Sequence, residues 1–165
     1  MAKSLKLKAV RVHDLYTVFN SLTPADIAKY AGSDTMKSIR GVSKLVDELE
    51  EADKGYMEVA KKIEDAVEVV RKDYQEKLKS LGKDDKEAED TLLKEANEKA
   101  KKTLDDARKE YGMDEAQDVE VEVVINSDDR YTLLKTLFEK TAPEKYLSTP
   151  ACAETWEAIE SAKEI

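Results

Sequence analysis

An apolar stripe with alternating steps of three and four residues runs through the first half of the chain, and it constrains the fold more than any other feature. Its members are Ile39, Val42, Val46, Leu49, Tyr56, Ala60, Ile63, Val67, Val70 and Tyr74. Only Asp53 and Lys77 interrupt the same count with polar side chains. This spacing is typical of one face of an α-helix, and a face sustained over about five heptads requires a partner surface. The sequence therefore predicts one long helix over residues 34–81, roughly 70 Å in length.

A second helix is predicted to return along the first. After Gly82, either Asp84 or Asp85 caps a helix that reaches Tyr111 before Gly112 stops it. The returning helix is shorter than the first and covers only part of its length. We therefore predict an unequal antiparallel helical hairpin.

The two helices of this hairpin differ in the width of their apolar faces. The first carries a third apolar column, formed by Leu45, Ala52, Val59 and Ala66. The second has a narrow, alanine-rich face formed by Ala88, Leu92, Ala96, Ala100, Thr103, Ala107 and Tyr111. A narrow helix leaves part of a broad face uncovered, so we predict contact with a protein partner, either another copy or a different protein. The predicted contact residues are Ile63, Val67, Val70 and Tyr74. Coverage of this face by long lysine and glutamate side chains is the alternative.

Two segments far apart in the chain alternate as β-strands do. Residues 5–12 place lysines on one face and change phase near Ala9, which suggests a bulge, and residues 119–125 alternate valine with glutamate. Lysines opposite glutamates favour cross-strand pairing on a solvated face. We predict a two-stranded antiparallel ribbon whose apolar face is covered by helices.

Short helices are predicted around this ribbon, each with its own start and stop signals. Asp14 is expected to cap the first, Thr23 with Pro24 to begin the next, and Gly32 to close it. The turn over residues 126–129 leads into a Leu-rich helix. Pro143 is expected to stop that helix. The last helix is expected to begin at Thr149 and Pro150, and its apolar stripe is formed by Cys152, Trp156 and Ile159.

The predicted fold class is thus mainly α (α+β), in a single domain of residues 1–165. Its base comprises residues 1–50 and 112–165, and the helical hairpin of residues 51–111 projects from it. Residues 36–49 of the long helix are expected to be buried by the ribbon and the short helices.

The composition of the chain argues against several classes of protein function. The net charge of −9 argues against nonspecific binding to nucleic acid or to an anionic membrane, since both require a basic surface. A single cysteine excludes an internal disulfide, and no apolar stretch of ~20 residues is present. We expect synthesis in a cytoplasm.

No residue is predicted to be catalytic, to bind a cofactor or to ligate a metal. His13 next to Asp14 is interpreted as a strand-end histidine beside a helix cap, because adjacency in sequence does not align an imidazole with a carboxylate. Cys152 lies on an apolar stripe, and Asp128 with Asp129 is interpreted as a helix cap. A phosphate-binding loop and a zinc-binding cysteine cluster are both missing from the sequence. The sequence therefore predicts a protein that is not an enzyme.

The order of these elements resembles that of small uncharacterised proteins of tailed bacteriophages. The resemblance rests on a lysine-bearing strand leading into a small helix, a charged helical hairpin, and an acidic strand followed by Asp-Asp-Arg-Tyr-Thr-Leu-Leu-Lys-Thr-Leu-Phe. It covers about the first 140 residues as architecture, whereas the helix containing Trp156 departs from it. No functional residue of that family carries over to this chain.

The resemblance implies a phage protein made in the host cytoplasm that acts in the virion or during its assembly. We expect a non-enzymatic structural or assembly protein that works through helix-face contacts and forms a homo-oligomer or binds another virion protein. The first alternative is an acidic inhibitor of a host protein that mimics nucleic acid. The second is a prefoldin-like or tail-assembly chaperone.

Overall fold

A computed structural model describes residues 1–32, 34–82, 84–145 and 147–165 of the chain. The chain divides into two compact units. Met1–Tyr56 and Ala116–Ile165 form the first, here the sheet unit, and Met57–Glu115 form the second, here the hairpin unit. The architecture is mainly α with a small antiparallel sheet, which confirms the predicted fold class.

The elements follow one another with short connections. In chain order they are β1 (Lys3–Lys8), α1 (Ala9–Asn20), α2 (Pro24–Tyr30), α3 (Thr35–Ser80), α4 (Lys86–Glu110), α5 (Met113–Asp118), β2 (Glu120–Ile125), α6 (Asp128–Thr141), a 3-10 helix (Ala142–Lys145), α7 (Thr149–Glu160) and β3 (Lys163–Glu164). The long helix α3 begins in the sheet unit and continues into the hairpin unit. The short helix α5, which the sequence did not predict, leads into β2.

The two predicted strands pair with each other in the antiparallel sense. Lys6 lies opposite Glu122 and Lys8 lies opposite Glu120, as expected for a solvated face of opposite charges. On the other face, Leu5 lies opposite Val123, and both side chains are buried. The predicted two-stranded ribbon is incomplete, because β3 pairs with the other edge of β1 and makes the order β2-β1-β3. A strand of two residues is too short to show an alternating pattern in the sequence.

The predicted bulge near Ala9 and the predicted cap at Asp14 are both wrong. The strand ends at Lys8, and α1 begins at Ala9 without a loop. The change of phase marks a switch from a repeat of two residues to a repeat of 3.6, because Ala9, Val12 and other buried apolar residues recur at helical steps. Asp14 lies inside α1, where it forms an ion pair with Arg11.

Most of the other helix ends follow the predicted signals. Thr23 and Asp26 form a reciprocal capping box, in which each side chain accepts a hydrogen bond from the backbone N–H of the other residue. Asp85 caps α4 by accepting a hydrogen bond from Ala88 N at 3.0 Å. Gly32 and Gly112 follow helices with φ of 89° and 63°, a conformation that favours glycine.

The core of the sheet unit lies between the apolar face of the sheet and the helices. Its buried members include Leu5, Leu7, Val12, Leu15, Phe19, Val42, Leu45, Leu49, Val123, Ile125, Leu134, Leu137, Phe138 and Ile159. The early residues of α3 are therefore buried by the strands and short helices, as predicted. Met36, within the same predicted range, is instead 62% exposed.

A carboxylate on α3 connects this helix to the turn between β2 and α6. Glu48 Oε1 accepts hydrogen bonds from the backbone N–H and the side-chain amide of Asn126, at 3.2 and 3.0 Å. Glu48 Oε2 accepts a hydrogen bond from Arg130 Nε at 3.3 Å, and Arg130 Nη2 lies 2.9 Å from Oε1. Both charged side chains are largely buried. The pair thus holds the start of α6 against α3.

In the hairpin unit, α3 and α4 run antiparallel. Lys62 lies over the ring of Tyr111, and further along α3 Asp73 lies 3.8 Å from Lys99, so residue numbers rise along one helix as they fall along the other. The predicted narrow face of α4 is confirmed over most of its length. Ala107 is buried, Tyr111 is 37% exposed, and the other members are half-buried, namely Ala88, Leu92, Ala96, Ala100 and Thr103.

Candidate functional site

The predicted contact residues of the hairpin differ in how much of each side chain is accessible. Ile63 and Val70 are only 6% and 7% exposed, whereas Val67 and Tyr74 are half-buried. Val70 and Tyr74 line a cavity of about 80 Å³ together with Leu92 on α4. Ile63 and Val70 therefore belong to the interior of the hairpin. Val67 and Tyr74 are the members that retain surface for a partner.

The apolar surface beside these residues is covered only in part. Val59 and Ala66, from the third column of the stripe, are half-buried. Leu93 on α4 is 44% exposed. Val69 on α3 is 68% exposed, but it lies two residues, or about 200° around the helix, from Val67 and is therefore outside this surface. The third column does not form one surface, because Leu45 at its start is fully buried in the core of the sheet unit.

Charged side chains of both signs surround this surface. Asp73 lies 3.1 Å from Lys77 and 3.8 Å from Lys99, and Arg71 lies 3.2 Å from Glu68. All of these groups are substantially exposed, so each pair contributes little to stability. Lys62 over Tyr111 shows that a lysine side chain also covers part of the aromatic surface. Coverage of the broad face of α3 by lysine and glutamate side chains stays a prediction.

A histidine–aspartate pair in the sheet unit is the feature that sequence reasoning missed. His13 Nδ1 lies 2.8 Å from Asp53 Oδ2, and the imidazole ring lies 4.8 Å from the ring of Tyr56. The Asp53 side chain is completely buried, whereas the His13 side chain is 32% exposed. The interpretation of His13 as a strand-end residue is wrong, because it lies within α1 and faces α3. The available signal was Asp53 itself, a carboxylate within the apolar stripe.

The electrostatics of the pair favour a charged imidazole. The hydrogen bond to Asp53 raises the pKa of His13 above its ordinary value, against the opposing effect of burial. Asp53 Oδ1 is buried and has no hydrogen-bond partner within the described ranges. A hydrogen bond from a charged imidazole stabilises a buried carboxyl group more than one from a neutral imidazole does. The pair can therefore hold a proton between α1 and α3.

The other candidate side chains lie apart from this pair. Burial and nearby Asp14 both raise the pKa of the Cys152 thiol, so the reactive thiolate is disfavoured. The interpretation of Asp128 with Asp129 as a helix cap is wrong, because Ser127 caps α6 by accepting a hydrogen bond from Arg130 N. Asp128 and Asp129 lie in the first turn of α6, where Asp129 is 3.5 Å from Lys37. Among the described residues, no three potential metal ligands come together. None of the helices in the described ranges combines the length and apolar character of a membrane span.

Comparisons of the chain with protein-family models, with characterised proteins and with solved structures found no significant match.

Proposed function

We propose that this chain is a non-enzymatic bacteriophage structural or assembly protein that acts through a helix face of its hairpin, with a second copy of the chain as its partner. The phage assignment rests on the resemblance in element order. The contact through the hairpin rests on one observation, the small core of the hairpin unit. Within the described residues of that unit, the buried apolar side chains are Ile63, Val70, Ala107 and Met113.

A pair of helices with so small a core gains from a further layer. Most helix stability in proteins comes from packing of an apolar face, and a fully buried valine or leucine contributes ~1.5–3 kcal/mol. Val67 and Tyr74 are half-buried on α3, and Leu93 is 44% exposed on α4. A second hairpin laid against this surface would bury the remaining area of these side chains.

A second copy suits this surface because the surrounding charges are mixed. Asp73 lies between Lys77 and Lys99, so acidic and basic groups alternate at short range. Exposed charges separated by more than about 8 Å are screened at physiological ionic strength. The overall charge of −9 therefore opposes self-association less than its size suggests.

The test is to measure the molar mass of the purified chain by light scattering, over a concentration series up to high micromolar. We expect a defined oligomer, which Val67→Asp dissociates while helical content is retained by circular dichroism. Val69→Asp is the matched control, since Val69 is on the same helix and already 68% exposed. Ile63→Asp is unsuitable, because it buries a charge inside the hairpin and tests folding instead. A wild-type chain that remains monomeric throughout would refute self-association.

The inhibitor alternative has its own structural support. Glu87, Glu89, Asp90 and Glu95 are all exposed on the first three turns of α4. An acidic helix of this kind can compete with nucleic acid for a basic site on a host protein. Reversing these four charges would abolish inhibitor binding but leave an oligomer built on Val67 intact. Mass spectrometry of purified particles separates the two roles, since an assembled component is retained there and an inhibitor is not.

A further inference from the structure

One turn of α3 combines two features that weaken a helix. Asp53 places a completely buried carboxylate in it, and Gly55 follows two residues later. A glycine inside a helix costs about 1 kcal/mol relative to alanine. Both residues lie at the end of the part of α3 that belongs to the sheet unit.

Packing does not explain the glycine at residue 55. At Gly41, the other glycine inside α3, an added Cβ would lie 2.4 Å from Leu133 Cδ1, so close approach of α6 accounts for the missing side chain. At Gly55, an added Cβ would have no atom within 4 Å. What glycine provides there is backbone freedom within a helix that is otherwise continuous.

The contacts of this turn converge on one histidine. Asp53 and Tyr56 face His13 from α3, through the 2.8 Å hydrogen bond and the ring contact. Asp14, the neighbour of His13 on α1, adds a second negative charge and is itself paired with Arg11. When His13 carries a proton, it neutralises Asp53. When it does not, only a hydrogen bond to a neutral imidazole remains, which is weaker than one to a charged imidazole, and Oδ1 still has no partner among the described residues.

We propose that residues 53–56 of α3 form a proton-controlled clasp: protonated His13 holds this turn against α1, and loss of the proton allows the helix to open locally at Gly55. The clasp does not depend on the hairpin having a partner. It makes the continuity of α3 responsive to pH in the range where histidine titrates.

The direction of the response follows from the charge on His13. The pKa of His13 is raised in the folded chain, so its stabilisation of the contact between α1 and α3 is complete below about pH 6.5. This stabilisation is lost as the pH rises through the folded pKa. Opening of the turn therefore increases towards alkaline pH.

The test is amide hydrogen exchange of the full chain at pH 6 and pH 8.5, corrected for the intrinsic rate at each pH. We expect protection of a peptide covering residues 50–58 to fall several-fold at the higher pH, while a peptide from the middle of α4 changes little. Gly55→Ala should restore protection at pH 8.5. Asp53→Asn should remove the pH dependence, because its side chain carries no charge to be neutralised.

A second measurement keeps the proposal testable if Asp53→Asn does not fold. His13 is the single histidine of the chain, so its imidazole titration is resolved directly by nuclear magnetic resonance. We expect its pKa above 6.5 in the wild type and in Gly55→Ala. An ordinary His13 pKa, or exchange of residues 50–58 that changes with pH no more than exchange of α4, would overturn the clasp.

Discussion

Replacing Glu48 with alanine removes the carboxylate that connects α3 to the start of α6. The wild-type side chain accepts two hydrogen bonds from Asn126 and one from Arg130, with a second Arg130 nitrogen 2.9 Å away. After the substitution, the guanidinium of Arg130 would remain largely buried without its counter-charge. The substitution should therefore destabilise the sheet unit more than loss of a surface charge would.

The expected magnitude lies below that of a fully buried pair. Breaking a fully buried ion pair by removing one partner costs ~3–5 kcal/mol. The Glu48 and Arg130 side chains are 14% and 18% exposed, so water reaches both groups and compensates part of the loss. We expect a decrease of about 2–3 kcal/mol in the free energy of unfolding, or roughly 5–10 °C in Tm for a chain of this length.

Urea denaturation followed by circular dichroism provides the measurement, with thermal unfolding as a second readout. Glu50→Ala is the matched control, because Glu50 is exposed on the same helix two residues later. The double variant of Glu48→Ala with Arg130→Ala should lose less stability than the two single changes together, since it leaves no unpaired charge. A cost for Glu48→Ala equal to that of Glu50→Ala would show that the contact contributes nothing.

Four further outcomes follow from the same structure. The pKa of His13 is raised, so the difference in unfolding free energy between wild type and His13→Gln should be smaller at pH 8.5 than at pH 6 in urea titrations. An equal difference at both pH values would contradict stabilisation by protonated His13. Thr23→Ala removes half of a capping box and should lower the free energy of unfolding by ~1 kcal/mol. Thr23→Ser keeps the capping hydroxyl and should therefore preserve most of the wild-type stability. Leu134→Ala in the core should lower the free energy of unfolding by ~2–5 kcal/mol in the same assay, and a decrease below about 1 kcal/mol would mean that α6 packs loosely. Because its pKa is raised by burial, the Cys152 thiol should react with iodoacetamide at pH 7.5 several-fold more slowly than a peptide cysteine, and equal rates would place it in solvent.

Prediction from sequence was most accurate where the signal was local. The capping residues Thr23 and Asp85 act within three residues of their own position. Thr23 is the predicted cap, and Asp85 is one of the two predicted candidates, the other being Asp84. The first strand and helix were harder to delimit, because Ala9 suits either element and only the buried positions that follow reveal the change of repeat. The strand β3 could not be predicted, since its two residues pair with Lys3 and Ser4 through backbone contacts that leave no pattern.

The predicted contact residues of the hairpin also show that local sequence signals predict the type of element but not the burial of each residue. The stripe on α3 was correctly identified as apolar, yet its spacing did not distinguish the interior Ile63 from the more accessible Val67, because both satisfy the same heptad. How much of each is covered depends on the width of the helix that packs against it.

The sequence by itself determined the helical content, most of the helix ends and the charge pairing of the two main strands, because these follow from side-chain spacing and from contacts within one turn or one ladder. Only the tertiary structure decided that His13 meets Asp53, forty residues later in the chain, and that Glu48 meets Arg130. Such contacts depend on which faces of two helices are packed together. That choice is made by burial of the whole core, and not by the residues that happen to meet there.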